Sequence, residues 1–246
     1  MTTDAELPPD TEIGPHEHEP HGGGTNALLN WLRAAVLGAN DGIVSTAGLV
    51  MGVAGATTDR QAIFVAGLAG VIAGALSMAA GEYVSVSSQK DTEKALLAKE
   101  MRELEEEPEE ELAELAGIYR GKGLSEATAR QVALELTAHD ALAAHAEAEL
   151  GLDAYERTKP SHAALASMTA FTIGALLPLL TITLLPQSVR IWATVVSVVL
   201  ALALTGFASA RFTNAIVSRA MVRTVGGGLL AMGVTYAVGS LVGANI

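Results

Sequence analysis

Cysteine is absent from the 246 residues, which excludes disulfide frameworks, thiolate metal sites and cysteine nucleophiles. A metal held by this chain must use carboxylate, imidazole, thioether or carbonyl groups. Aromatic residues are scarce, at 4%, although half of the chain is hydrophobic and 25 residues are glycine; that balance suits packed membrane helices and not a soluble core. No stripe of Lys and Arg offsets the 27 acids, and the net charge of −12 excludes nucleic-acid binding by phosphate neutralisation. There is no phosphate-cradling Gly loop, no Gly-x-Ser-x-Gly elbow and no His-Glu-x-x-His, so no enzyme is expected. A basic region followed by an apolar stretch and a cleavage site is also missing at the N-terminus, so the first membrane helix is expected to act as its own insertion signal.

The acids that are present are unevenly placed: six in the first 26 residues, eleven between Asp91 and Glu114, and none after Ser161. Residues 1–25, rich in Pro, Gly, Glu and His, bury too little to fold alone and are expected to be a disordered tail, with His16, His18 and His21 as accessory metal ligands at most. Apolar stretches then run over Trp31–Thr57, over the 21 uncharged residues Gln61–Gly81 and on to Gln89, and over Ala163–Leu185, Ile191–Ala210 and Thr224–Ile246. Each is near the ~20 residues that cross a hydrocarbon core. An all-α integral membrane protein with five transmembrane helices follows, divided into the tail (1–25), helices 1 and 2 (26–90), a cytoplasmic three-helix metal-binding domain (91–160) and helices 3 to 5 (161–246). Arg33, Lys90, Lys94, Arg157, Lys159, Arg211, Arg219 and Arg223 fall on one side of that arrangement, against Arg60 and Arg190 on the other. The N-terminus and the 90–162 segment are therefore expected in the cytoplasm, with a bacterial plasma membrane as the location.

Within 91–160 the pattern predicts helices over Asp91–Glu107, Glu109–Arg120 and Ser125–Leu150, with Pro108 and Ser125 suited to helix starts. No stop signal separates the first of these from the second span, of which it reads as a continuation.

Asp41 lies well inside the first span, where an unpaired charge costs several kcal/mol and is kept for a partner or a pathway. Asn40-Asp41-Gly42 is expected to break the helix there, which membrane depth tolerates only beside a cavity or another helix. Met78 and Glu82, four apart on the second span, share a helix face; with Asp41 they make a mixed soft and hard site for a borderline ion such as Fe²⁺. Glu100 with Glu103, and Glu111 with Glu114, are Glu-x-x-Glu pairs whose spacing also occurs in carboxylate-bridged metal bundles. The surrounding acidic block makes a merely solvated face an equally ready reading of the spacing. His145 and Glu149 share a face at i, i+4, as do Glu135 and His139. Small residues at Gly67, Gly70 and Gly74 suggest a close helix contact between two subunits.

Val36-Leu-Gly-Ala-Asn-Asp-Gly-Ile-Val-Ser-Thr46, Ala73-Gly-Ala-Leu-Ser-Met-Ala-Ala-Gly-Glu-Tyr-Val-Ser85, Glu149-Leu-Gly-Leu152 and Thr235-Tyr236, taken in order, resemble the vacuolar iron transporter family. The resemblance covers residues from about 30 to 246. It implies a five-helix homodimer with the ion path between subunits, moving Fe²⁺ and often Mn²⁺ out of the cytosol in exchange for protons. It also implies that the family's first-span acid is Asp41, its second-span methionine Met78, and its cytoplasmic metal-binding glutamates Glu100, Glu103, Glu111, Glu114 and Glu149. Plant members differ: they carry a glutamate where this chain has Gly70, lack one at Glu82, and carry methionines where this chain has His145 and Ala146.

The expected function is transport of Fe²⁺ or Mn²⁺ through a path of Asn40, Asp41, Met78 and Glu82. Glu100, Glu103, Glu111, Glu114, His145 and Glu149 gather the ion, which is cargo and not a permanently bound cofactor. The expected partners are metal ions, protons, the lipid bilayer and a second copy of the chain. A membrane-anchored metal buffer or sensor and a membrane ferroxidase are the alternatives.

Overall fold

A computed structural model describes residues 24–155, 159–212 and 215–245; the histidines of the N-terminal tail lie outside them. The described residues form helices and no strand: α1 (Gly24–Ala56), α2 (Arg60–Glu106), α3 (Pro108–Gly121), α4 (Glu126–His145) running into a π-helical turn (Ala146–Leu150), α5 (Pro160–Leu184), α6 (Arg190–Phe212) and α7 (Val217–Gly243). Five of these, α1, α2, α5, α6 and α7, are long and apolar enough to cross a membrane, as the hydropathy pattern predicts.

The 47 residues of α2 extend about 70 Å at 1.5 Å per residue, more than twice the ~30 Å of a hydrocarbon core. Its second half, charged from Lys90 onward, must therefore project beyond the spans. There it meets α3 and α4, which close around Leu115, Ala133 and Ala144. Asp59 begins α2 by accepting the Gln61 N–H (3.0 Å), and Ser125 begins α4 by accepting the Thr128 N–H (3.3 Å), the usual N-cap chemistry. Pro108 opens α3 at a position where a missing N–H costs nothing.

The helix expected to run over Ser125–Leu150 is interrupted. Asp140 has extended backbone (φ −161°, ψ 94°) and its Oδ1 accepts the Ala143 N–H at 3.0 Å, so a second short helix starts there and carries His145 and Glu149. The break expected at Asn40-Asp41-Gly42 is, by contrast, not present: α1 is continuous through it. Its Gly42 answers a packing demand, because the Phe171 carbonyl of α5 occupies the space where a β-carbon would stand.

Lipid offers apolar side chains no gain from leaving it, so close backbone packing has to hold such helices together. α1 is the central element. It lies directly against the α5 backbone near Gly38 and Gly42, and against the α7 backbone near Gly52 and Gly55. Between them Ile43, Val50, Phe171, Leu179, Leu202 and Met232 form a continuous buried core. The glycine series of α2 serves this same packing: Gly67 receives Leu179 and Val50, Gly70 receives Leu49, and Gly74 receives the Phe171 ring. Those glycines therefore serve packing within one subunit, with Gly70 and Gly74 still partly exposed. At the end away from the polar helices, the Arg60 guanidinium donates to the Leu185 carbonyl (3.1 Å) and that of Arg190 to the Thr58 carbonyl (3.0 Å), tying the two short turns together.

Candidate metal centre and membrane cleft

Two groups of side chains stand out, one at each half of α2. In the polar half, Glu100 of α2, Glu111 of α3 and His145 of the restarted helix converge. All three are buried, at 2%, 7% and 0% exposure, and each offers a ligand atom within 4.8 Å of the others. His145 Nδ1 lies 2.9 Å from Glu100 Oε1 and 3.4 Å from Glu111 Oε2. Neither approach is aligned as a hydrogen bond to the ring, and Glu100 Oε1 and both ring nitrogens have no hydrogen-bond partner among the described residues.

Buried polar atoms are nearly always paired, because leaving one bare costs about 1–3 kcal/mol and more for a charged group. Here several are bare in one place. Burial pushes the Glu100 carboxyl up to about 7, helped by the negative charges of Glu149, Glu111 and Glu103. Burial raises Glu111 also, against a lowering by His145 and alongside the charges of Glu114, Glu103 and Glu149. Lys99, a nearby cation, is already engaged with Glu103 (2.6 Å). Two carboxylates and an imidazole, crowded without a compensating cation, form a donor set for a divalent ion such as Fe²⁺, Mn²⁺, Co²⁺ or Zn²⁺.

The other carboxylates expected here stand around the cluster. Glu103 is half-buried beside Lys99, while Glu114 and Glu149 are exposed. On a helix, i+3 is rotated about 60° from i, so the narrow strip that buries Glu100 and Glu111 leaves Glu103 and Glu114 on its rim. Glu135 and His139 are exposed on α4, away from the cluster.

In the apolar half, Asp41 and Met78 line one cleft of about 170 Å³ between α1, α2 and α5, together with Ser45, Thr46, Ser77 and Phe171. The Ser45 hydroxyl donates to the Asp41 backbone carbonyl at 2.6 Å, and Asp41 lines the cleft while remaining exposed on the single chain. Glu82, half-buried one turn beyond Met78, is not part of this lining. Asn40 points elsewhere: its Oδ1 is buried without a partner. The hydroxyls of Ser45, Thr46 and Ser77 are site residues that sequence reasoning misses, although each lies inside a stretch that carries the family resemblance. Phe171 is a lone aromatic that no sequence signal marks.

The chain is similar in sequence to several named proteins. A vacuolar iron transporter of Acanthamoeba castellanii is 44% identical over 221 residues, covering 88% of this chain and 80% of that protein. Vacuolar iron transporter homolog 1 of Oryza sativa subsp. japonica is 41% identical over 229 residues, covering 90% and 79%. Homolog 4 of Arabidopsis thaliana is 36% identical over 216 residues, covering 87% and 85%. Residues 32–240, which contain all five apolar helices but for their outermost turns and both groups of side chains, match the VIT family, and the chain belongs to that family.

Proposed function

We propose that this protein carries Fe²⁺ or Mn²⁺ across a membrane, out of the cytosol and in exchange for protons, working as a homodimer. The observation that carries the reading is that one continuous helix, α2, holds Met78 in the membrane cleft and Glu100 in the buried polar cluster. An ion taken up by Glu100, Glu111 and His145, and attracted by the rim charges of Glu103, Glu114 and Glu149, has Asp41 and Met78 ahead of it within the spans. The raised Glu100 carboxyl supports proton exchange, since metal and proton contest the same oxygen near neutral pH. The positive-inside distribution supports a cytosolic cluster.

Two observations support a dimer. Asp41 is open on one side of the single chain, and a carboxylate facing lipid there would cost several kcal/mol. The outer face of α2 presents Val65, Ile72 and Leu76, each more than half exposed, and a second copy laid on it would enclose the cleft. The relatives are vacuolar iron transporters by name, and the bacterial plasma membrane expected from the sequence gains no support from these eukaryotic proteins.

The test is flux into proteoliposomes under an imposed pH gradient, with Fe²⁺, Mn²⁺, Co²⁺ and Zn²⁺ in turn. Metal-dependent uptake coupled to proton movement is expected. Tight binding with no flux would overturn the proposal in favour of a membrane-anchored metal buffer, a reading that the completeness of the polar cluster within a single chain also supports.

A further inference from the structure

His145 reaches the cluster only because α4 stops and restarts. A helix continued without a break from Glu126 would hold residues 141–150 in a different direction, since a single extended residue at Asp140 redirects the axis of everything after it. What holds that break is one carboxylate used twice. Asp140 Oδ1 accepts the Ala143 N–H (3.0 Å), and Asp140 Oδ2 accepts the Tyr155 hydroxyl (2.7 Å). Tyr155 lies beyond the other end of the same short helix, which closes through the Leu152 N–H donating to the Ala146 carbonyl (2.8 Å) and a left-handed Gly151 (φ 64°). The Tyr155 N–H in turn donates to Asp153 Oδ1 at 2.8 Å, which fixes the turn from which the ring reaches back. The segment bearing His145 and Glu149 is therefore bound at its start and clasped from past its end by the same side chain.

We propose that Asp140 and Tyr155 are positioning residues for the metal centre: their hydrogen bond holds the 141–150 helix so that the His145 ring stands between Glu100 and Glu111. The inference rests on reading those three residues as a metal site. Asp140 is held below the ordinary carboxylate range, first by the Ala143 N–H and then by Tyr155, while Tyr155 is raised by Asp140; the carboxylate stays ionised and the phenol stays a donor throughout the neutral range. Such outer partners fix the orientation of a ligating histidine and stiffen the site. Here the effect is exerted on the backbone that carries the ring, because the ring nitrogens themselves have no hydrogen-bond partner among the described residues.

The experiment uses the full chain in detergent with Co²⁺ as the probe, in a background with His16, His18 and His21 changed to Ala so that the tail does not compete. Affinity, the visible Co²⁺ absorption band and metal-free thermal unfolding are read for the parent and for Tyr155→Phe, Asp140→Ala, Asp140→Asn and His145→Ala. Tyr155→Phe and Asp140→Ala are expected to weaken Co²⁺ binding roughly tenfold and to shift the band toward that of His145→Ala. Asp140→Asn, which keeps an oxygen for the Ala143 N–H and a partner for the phenol, is expected to restore most of the affinity. Parental affinity and band in Tyr155→Phe would overturn the proposal, as would weaker binding with an unchanged band, which marks a general loosening and not a displaced imidazole. Should Asp140→Ala fail to fold, Tyr155→Phe decides alone. If only His145→Ala departs from the parent, the metal site stands and the clasp falls; if His145→Ala also matches the parent, the metal-site reading falls with it.

Discussion

The two ends of α2 solve the problem of an acidic group in opposite ways. In the polar half, Glu100 is sealed in protein with Glu111 and His145 crowded against it, so one chain supplies three donors at once. In the apolar half, Asp41 shares its cleft with the Met78 thioether and three hydroxyl residues, and remains exposed on the single chain. A complete donor set can retain an ion, whereas a sparse one on a cleft wall can pass an ion along, because conduction needs sites weak enough to leave. Under the proposed function, capture falls to the first and passage to the second, and each prediction below either separates these roles or merges them.

The largest effect belongs to the cleft. Asp41→Ala is expected to abolish flux in proteoliposomes while Co²⁺ still binds at the polar cluster with parental affinity. Substantial flux in that variant would remove the cleft from the path. The reciprocal change, Glu100→Gln with Glu111→Gln, is expected to cost more than about a hundredfold in Co²⁺ affinity, beyond the range for outer-shell partners. Flux at saturating metal should persist and be lost only at low concentration. A variant dead at every concentration would mean that capture and passage are one step.

Much of this contrast is readable from residue order, and the unread part has physical causes. The five apolar helices follow hydropathy, and the extension of α2 follows from the missing stop signal before Asp91. The residue types of the cluster are visible as Glu-x-x-Glu spacing and His145, but which member of each pair turns inward depends on how α2, α3 and α4 pack, which no single-helix period encodes. The restart at Asp140 was hidden because one Asp inside a helical pattern reads as a solvated charge; only its bonds to Ala143 and Tyr155 show it as a cap. Asn40-Asp41-Gly42 is the opposite case, a break in pattern with no break in structure. A broken ladder of backbone hydrogen bonds is costly in lipid, and α1 keeps its ladder whole while Gly42 admits the α5 backbone.

A pH titration sharpens the comparison with a moderate effect. With Glu100 pushed up to about 7, the folded protein holds that proton more tightly than the unfolded chain does. The stabilisation is complete below the ordinary glutamate range and is lost as pH rises through about 7. The metal-free protein is therefore expected to melt at progressively lower temperature from about pH 5 to about pH 8, with on the order of 3 kcal/mol at stake. Saturating Co²⁺ should reverse the trend at the alkaline end, since the ion takes the ionised carboxylate. Glu100→Gln should flatten the metal-free profile. A parental profile in Glu100→Gln would show that the cluster is not the source.

The smallest effect concerns the rim. Glu114 and Glu149 are exposed, so they act on the buried cluster as solvent-screened charges, which salt attenuates over a Debye length of about 8–10 Å. Glu114→Gln combined with Glu149→Gln is expected to change the tight Co²⁺ affinity by less than about threefold, with the difference vanishing at high salt. The count of weakly bound ions at high metal concentration should fall, because two carboxylates that attract cations have gone. Equilibrium dialysis at low and high salt separates these outcomes. A loss as large as that of Glu100→Gln, insensitive to salt, would make Glu114 and Glu149 direct ligands of the tightly held ion. The polar half would then close around its cargo from the rim inward, and its contrast with the cleft would be one between a site that rearranges to bind and a wall already in place.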